Sequence, residues 1–394
     1  MVNTHLAFIA QEILPLGLRI DRQLTVPDGA AIREALTESF TSADIIFVTG
    51  GLGPTTDDIT RELTADLLGL QLRNDPNVIA AIKERFARRG YKWTSRIARQ
   101  AAVPAGAEVL PNENGTAPGL YLRANVNPQI RSPHLFLLPG PPRELRPMFT
   151  DFVSPLLRRI VPSRSGVEFR AYRIAGMGES LVEEAIGKKV LEVPGIELGY
   201  CARPGEVDLR LIGPSAEVER AATMVTAALG DAIFSSRGEQ MEEVLVKRLL
   251  ERKETLALAE SCTGGLLAHR ITNVPGASGV FLAGYVTYAN AAKTNVFGLD
   301  DALIEQKGAV SESVARAMAE GARDRAKSTH ALATTGIAGP DGGTAEKPVG
   351  TVYIGLASTG TETVVRRFDF ASDRETFKQL TAQAAFNLLR LRLL

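Results

Sequence analysis

Apolar and polar positions change period several times along the chain, and the changes divide it. Over the first 160 residues, short apolar runs such as ADIIFVTGG (43–51) and HLFLLPGPP (134–142) alternate with helix-period stretches such as PNVIAAIKERFARRG (76–90). Short apolar runs bounded by glycine or proline predict buried strands, and i, i+3, i+4 spacing predicts amphipathic helices. Their alternation predicts an α/β layered domain with a parallel sheet over 1–165. VPSRSG (161–166) reads as a linker.

A shorter pattern follows over 166–237: a strand (EFRAYRIAG), a helix (SLVEEAIGKKV), two strands (IELGYCAR and EVDLRLIG) and a helix (AEVERAATMVTAALG). This predicts a small α+β module. From 238 the pattern lengthens again. An amphipathic helix, EQMEEVLVKRLLERK, precedes the strand TLALAE. Further strands are VFLAGYVTYA (280–289), HALATTG (330–336) and TVYIGLA (351–357), with helices over SESVARAMAEGARDRA (311–326) and DRETFKQLTAQAAFNLLRLRL (373–393). The predicted architecture is therefore two α/β layered domains, 1–165 and 238–394, joined by a small α+β module. No internal repeat or low-complexity tract is visible.

Composition narrows the function classes. The 394 residues, 45% hydrophobic, suffice for two or three domains with their own cores. Lysine plus arginine equals aspartate plus glutamate at 45 each, so no basic surplus draws the chain to nucleic acid or to an anionic membrane. Cys201 and Cys262 are far apart, which argues against a disulfide framework and for a cytoplasmic location. The opening MVNTHLAFIAQ lacks the features of a signal peptide, and no run of 18 apolar residues predicts a membrane span. His5, His134, His269 and His330 show no zinc-ligand spacing.

Two stretches carry candidate chemistry. AESCTGGLLAHR (259–270) places Ser261, Cys262 and Thr263 at a predicted strand-to-helix turn, with a helix beginning near Gly264. Free N–H groups at a helix start favour negative charge and would stabilise an oxyanion, while Gly264 and Gly265 let a ligand approach the backbone. The same string also reads as a serine or threonine cap on a glycine turn. Downstream, YVTYANAAK supplies Tyr285, Tyr288 and Lys293. TTGIAGPDGGTAEKPVG (334–350) supplies a rigid, donor-rich loop containing Gly336 and Gly339. The second stretch is VTGGLGPTTDDITRE (48–62). There Gly50, Gly51 and Gly53 could cradle phosphate, and Asp57 and Asp58 could hold a divalent cation or simply cap a helix.

The last block resembles the C-terminal domain of the competence/damage-inducible CinA family. The matching motifs, in family order, are AESCTGG, YANAAK and TGIAGPDGG…KPVGTVYIG. The resemblance implies a homodimeric nicotinamide mononucleotide deamidase of pyridine-nucleotide salvage in NAD metabolism, needing no cofactor for that reaction. It implies Ser261 as nucleophile and Lys293 as base, a Ser–Lys arrangement that suits a block without a well-placed histidine. It further implies Tyr288 relaying a proton or holding the lysine, Thr335 orienting serine or substrate, and Arg374 pairing with an anion. Arg366 and Arg367 are alternatives to Arg374, and Cys262 is the rival nucleophile. Thr263, Gly264, Gly265, Gly336 and Gly339 would contact substrate.

The first block resembles the molybdopterin-binding-type domain of the same family, also through PNENGTAPG (111–119) and LPGPPREL (138–145). That implies hydrolysis of ADP-ribose-type pyrophosphates with Mg, Mn or Co at Asp57 and Asp58. The family pattern begins with a strand and a Gly-Thr/Asp-Glu-Leu-Leu loop, whereas MVNTHLAFIAQEILPLGLRI already reads as the following helix, so the domain is expected to lack its first strand. The middle block is similar to the family's KH-like module. GMGE (176–179) is a poor GXXG loop, which disfavours RNA binding. The rival readings are a non-catalytic nucleotide- or pterin-binding N-terminal half, and a competence-linked adaptor.

Overall fold

A computed structural model describes residues 4–90, 93–161 and 167–394. The proposed linker 161–166 lies outside the described residues except for Val161. The chain divides into two compact units, 1–165 and 166–394.

In the first unit, Thr4–Ile13 is helical and Ile45–Thr49 is the first strand. The four-stranded sheet runs Ile45–Thr49, His134–Leu138, Gly119–Leu122, Glu108–Leu110. Only the first pair is parallel; the other two are antiparallel. This corrects the expectation of a parallel sheet. A parallel return requires a crossover of a dozen or more residues. The connections at 111–118 and 123–133 are shorter than that, so each strand turns straight back. Alternation along HLFLL then loads both faces. Leu135 and Leu137 pack with Ile32 and Leu36 of the helix Ala30–Ser42, while Phe136 and Leu138 pack with Ile9, Ile13, Leu145 and Phe149.

In the second unit, residues 167–235 form a four-stranded antiparallel sheet in the order Ile233–Ser235, Val167–Ala175, Glu206–Pro214, Glu197–Arg203. The helices Glu179–Leu191 and Ser215–Leu229 cover one face. The short last strand escaped the sequence reading because three residues show no periodicity.

The remaining five-stranded sheet has the order Phe281–Val286, Leu256–Glu260, His330–Gly336, Thr351–Ser358, Thr361–Asp369. The first three strands are parallel and the last two antiparallel. Its two faces differ in side-chain size, and the difference is written in LALAE and HALATTG. Leu256, Leu258 and Leu332 meet Leu245, Leu267, Phe377 and Phe386 from the helices Met241–Arg252, Leu266–Thr272 and Arg374–Arg392. Ala257, Ala259, Ala331, Ala333 and Ala357 meet Val314, Met318, Ala319 and Ala322 of the helix Glu312–Ala326. Small residues on both sides let this helix come unusually close: a Cβ on Gly355 would stand 2.6 Å from the Ala315 carbonyl oxygen. Gly355→Ala is therefore expected to push the helix away and destabilise the second unit by roughly 1–3 kcal/mol. An unchanged thermal midpoint in that variant would contradict the packing.

Candidate active site

The strand Leu256–Glu260 ends in a carboxylate with 1% of its surface exposed. Glu260 shares the parity of Leu256 and Leu258, so it points to the face that carries the helix Leu266–Thr272. There it accepts four hydrogen bonds. One oxygen takes the Thr263 hydroxyl at 2.8 Å, the Gly265 amide at 2.9 Å and the Leu267 amide at 3.1 Å; the other takes the Ala268 amide at 2.9 Å. The helix begins at Leu266 rather than near Gly264, because Gly264 and Gly265 both lie in the left-handed region, at φ 60° and 94°. The donors expected to await a ligand are thus spent on Glu260. A buried carboxylate is tolerable because its bonds are charge-assisted and it sits at the positive end of a helix.

The cap fixes the turn Ser261–Gly265. The Ser261 amide bonds the Thr334 carbonyl at 3.0 Å, and the Thr263 hydroxyl also meets the Thr334 hydroxyl at 2.8 Å. The Thr263 side chain is fully buried and its hydroxyl is committed to Glu260 and Thr334, so the hydroxyl braces the turn. Gly264 is exposed at the turn's rim. Ser261 is nearly buried, and among the described residues no hydrogen bond joins its hydroxyl to Lys293.

Lys293, on the helix Asn290–Phe297, is 1% exposed. Its ammonium donates to the Tyr288 carbonyl at 3.2 Å, and no carboxylate pairs with it among the described residues. Burial pulls its pKa below the usual 10.5. Cys262, near enough to feel that charge, has its thiol pushed up to about 12 by burial. A thiol so disposed stays protonated at neutral pH and is a poor nucleophile.

Tyr288 does not hold Lys293 through its phenol. The exposed phenol accepts from Arg374 at 2.7 Å, and Arg374 also donates to the Gly339 carbonyl at 2.7 Å. Arg374 therefore ties the 336–350 loop to the 288 segment, whereas Arg367 pairs with Asp369. Arg374 stands at the start of its helix because Asp373 caps it, accepting from the Glu375 and Thr376 amides. Strand alternation turns Thr335 to the opposite side from Thr334, and its hydroxyl donates to the Ala309 carbonyl at 2.8 Å. Gly336 is required by packing, since a Cβ there would lie 2.8 Å from the Thr351 carbonyl. Gly339 is likewise crowded, by Val349.

In the first unit, the strands Ile45–Thr49 and His134–Leu138 end side by side, and the Gly50 amide bonds the Leu138 carbonyl at 2.9 Å. A Cβ on Gly51 would collide with Thr60 and one on Gly53 with Asp58; only Gly50 faces open space. The Asp58 carboxylate accepts the Thr55 amide at 3.0 Å and the Thr55 hydroxyl within its own loop. Among the described residues no three His, Cys, Asp or Glu side chains converge as a metal site. Asp57 is exposed and Asp58 is engaged by Thr55, and no metal-dependent step is assigned to them.

Glu260 and Thr334 were missed by motif matching. A lone glutamate closing the apolar run LALA was the available signal, and its parity with the leucines pointed to the helix face. Glu260→Ala should leave the Gly265, Leu267 and Ala268 amides without their acceptor and the Thr263 hydroxyl with Thr334 alone. It is expected to lower stability by roughly 3 kcal/mol or more. Glu260→Gln, which presents donors to donors, should lose a large part of the same energy. A chemical melt of both variants measures this, and wild-type midpoints would show that the cap is dispensable.

Three family profiles tile the chain: the CinA C-terminal domain over 238–393, a "Probable molybdopterin binding domain" over 1–159, and the damage-inducible protein CinA KH domain over 169–235. A CinA-like protein of Akkermansia muciniphila is 44% identical, the match covering 98% of this chain and 92% of that protein. A CinA-like protein of Koribacter versatilis is 39% identical over 100% of this chain and 96% of its own length. A solved CinA superfamily protein from Escherichia coli is 36% identical, covering 38% of this chain and 88% of its own, with a TM-score of 0.37. No helix among the described residues is long and apolar enough to cross a membrane. With all three of its domains matched in order and relatives aligned along nearly their whole length, the chain belongs to the CinA family.

Proposed function

We propose that the C-terminal domain hydrolyses the carboxamide of nicotinamide mononucleotide, releasing ammonia and nicotinate mononucleotide. The observation that carries this reading is Lys293, a buried lysine with no carboxylate partner, close to a rigid turn that presents a serine. A lysine can serve as a base only when neutral, and desolvation favours its neutral form. Ser261 attacks the carboxamide carbon while Lys293 takes the hydroxyl proton. The tetrahedral oxyanion is met by amides of the turn itself, Cys262 and Thr263, since the helix amides serve Glu260. Lys293 returns the proton to the departing nitrogen, ammonia leaves, and water, giving a proton to Lys293, hydrolyses the acyl-serine. Tyr288 and Arg374 hold the walls of the site together.

Ammonia release from the mononucleotide tests the assignment. Ser261→Ala and Lys293→Ala are each expected to lose activity by about a hundredfold or more, the range of a lost base or nucleophile. Cys262→Ala should retain it. The wild-type rate should rise with pH as Lys293 loses its proton and level off below pH 10.5, since burial lowers that pKa. Full activity in Ser261→Ala would overturn the nucleophile.

For the first unit, the engagement of Asp58 by Thr55 favours a nucleotide- or pterin-binding module over a metal-dependent pyrophosphatase. ADP-ribose titrated with and without Mg, Mn or Co is expected to bind without cleavage in every case. Cleavage that depends on the cation would restore the hydrolase reading.

A further inference from the structure

The pairing that holds the serine turn runs one residue past the strands. Register between the edge strand Phe281–Val286 and the strand Leu256–Glu260 sets Ala259 level with Tyr285 and Glu260 level with Val286. Beyond it the Thr287 amide donates to the Glu260 carbonyl at 2.9 Å, as the Ser261 amide donates to the Thr334 carbonyl. Thr287 and Ser261 are therefore level neighbours. They stand two residues after Tyr285 and Ala259, which belong to the face covered by the helix Glu312–Ala326, so alternation sends both to that face. Exposure along the edge strand follows the same alternation: Val286 and Tyr288 are exposed, whereas Thr287 is 1% exposed. The helix Asn290–Phe297 rests on this face too, its Phe297 edge-on to Tyr285 with ring centroids 5.4 Å apart. Lys293 of that helix bonds the carbonyl of Tyr288, the residue after Thr287.

Thr287 is the exception among the threonine hydroxyls at these strand ends. Those of Thr263, Thr334 and Thr335 have partners, but the Thr287 hydroxyl is buried and has none among the described residues. A buried hydroxyl that bonds nothing costs stability, and a valine of the same shape would avoid that cost. Such a group, set between the serine and the carbonyl that holds Lys293, calls for a partner that engages only during the reaction.

We propose that Thr287 is a positioning residue for the Ser261–Lys293 pair: its hydroxyl oxygen accepts one hydrogen of the Lys293 amine when substrate is bound, and so turns the amine's lone pair to the serine. The inference rests on the amidase reading for its chemistry and on the strand register for its location. A neutral amine has two hydrogens and one lone pair. It serves as a base towards Ser261 only if both hydrogens are held elsewhere. The Tyr288 carbonyl takes one of them and Thr287 takes the other. When the Ser261 proton moves to Nζ, the ammonium has three hydrogens. Two stay with Tyr288 and Thr287, and the third passes to the departing nitrogen, which restores the neutral amine. The Thr287 bond is open in the free protein and closes in the complex, as catalytic hydrogen bonds often do.

Steady-state ammonia release from nicotinamide mononucleotide is measured for wild type, Thr287→Val and Thr287→Ser, beside the thermal midpoint of each protein. Loss of a hydrogen bond to a charged group should lower kcat roughly ten- to a hundredfold in Thr287→Val and leave KM little altered. Thr287→Ser, which keeps the hydroxyl, should restore most of kcat. The midpoint of Thr287→Val should rise, because the substitution removes a buried polar group that bonds nothing in the free protein. A threonine that only braces the fold does not give lower activity together with higher stability. Wild-type kcat in Thr287→Val overturns the role and leaves the amidase standing. So does a raised KM at unchanged kcat, which marks a substrate contact, and so does a lowered kcat with a lowered midpoint, which marks a structural hydroxyl. No ammonia from the folded wild type overturns the amidase reading and this role with it.

Discussion

The C-terminal domain depends on one buried carboxylate. Glu260 ends the second strand of the sheet and begins the helix that follows, and its four hydrogen bonds hold strand, turn and helix as one body. Five residues, 261–265, are thereby confined to a path that needs two left-handed glycines. A turn held this way can carry a reactive serine without fluctuating, because the donors that would otherwise compete for solvent or substrate are already satisfied. The same arrangement removes the helix start from direct use by a ligand and leaves the turn's own amides and side chains arriving from elsewhere.

Those side chains come from two separate helices, each fixed by a local device. Lys293 enters on a helix and is buried with only a carbonyl to bond. Arg374 stands on a helix capped by Asp373 and bridges two loops through a carbonyl and a phenol. Burial without a carboxylate favours the neutral form of Lys293, whereas Arg374 is exposed.

The small module preceding this domain is more than a spacer. Arg270, on the helix capped by Glu260, pairs with Glu242 at 2.6 Å and bonds Gln383 at 2.9 Å. Gln383 continues to Glu206 of the module at 3.0 Å, and Arg173 bonds Gln240 at 2.9 Å. Burial raises the pKa of Glu206, and Arg173 and Arg203 oppose that rise. Polar groups removed from water must find partners at defined positions, so such a chain of contacts specifies how the module seats against the helix Arg374–Arg392.

Periodicity in the sequence was enough for the layered architecture and for most strands of the last domain, because buried strands and capped helices leave local signatures, while the family was legible in the motifs AESCTGG, YANAAK and TGIAGPDGG. Leucine on one parity of LALAE and alanine on the other already distinguished a face that accepts bulky side chains from one that a helix can approach closely. The Ser261 turn, the buried Lys293 and the bridging Arg374 were all named by motif. What no local signature carries is the partner of each group. Thr334 and Thr335 are identical neighbours, yet one meets the turn and the other a distant carbonyl, because alternation sends them to opposite sides of a sheet. Likewise the sheet of the first unit is mixed, not parallel, because connection length limits how a strand returns. Sequence determined which residues could act; only the packing of strands and helices from distant positions decided which of them meet, since a hydrogen bond depends on a few tenths of an ångström that no spacing along the chain encodes.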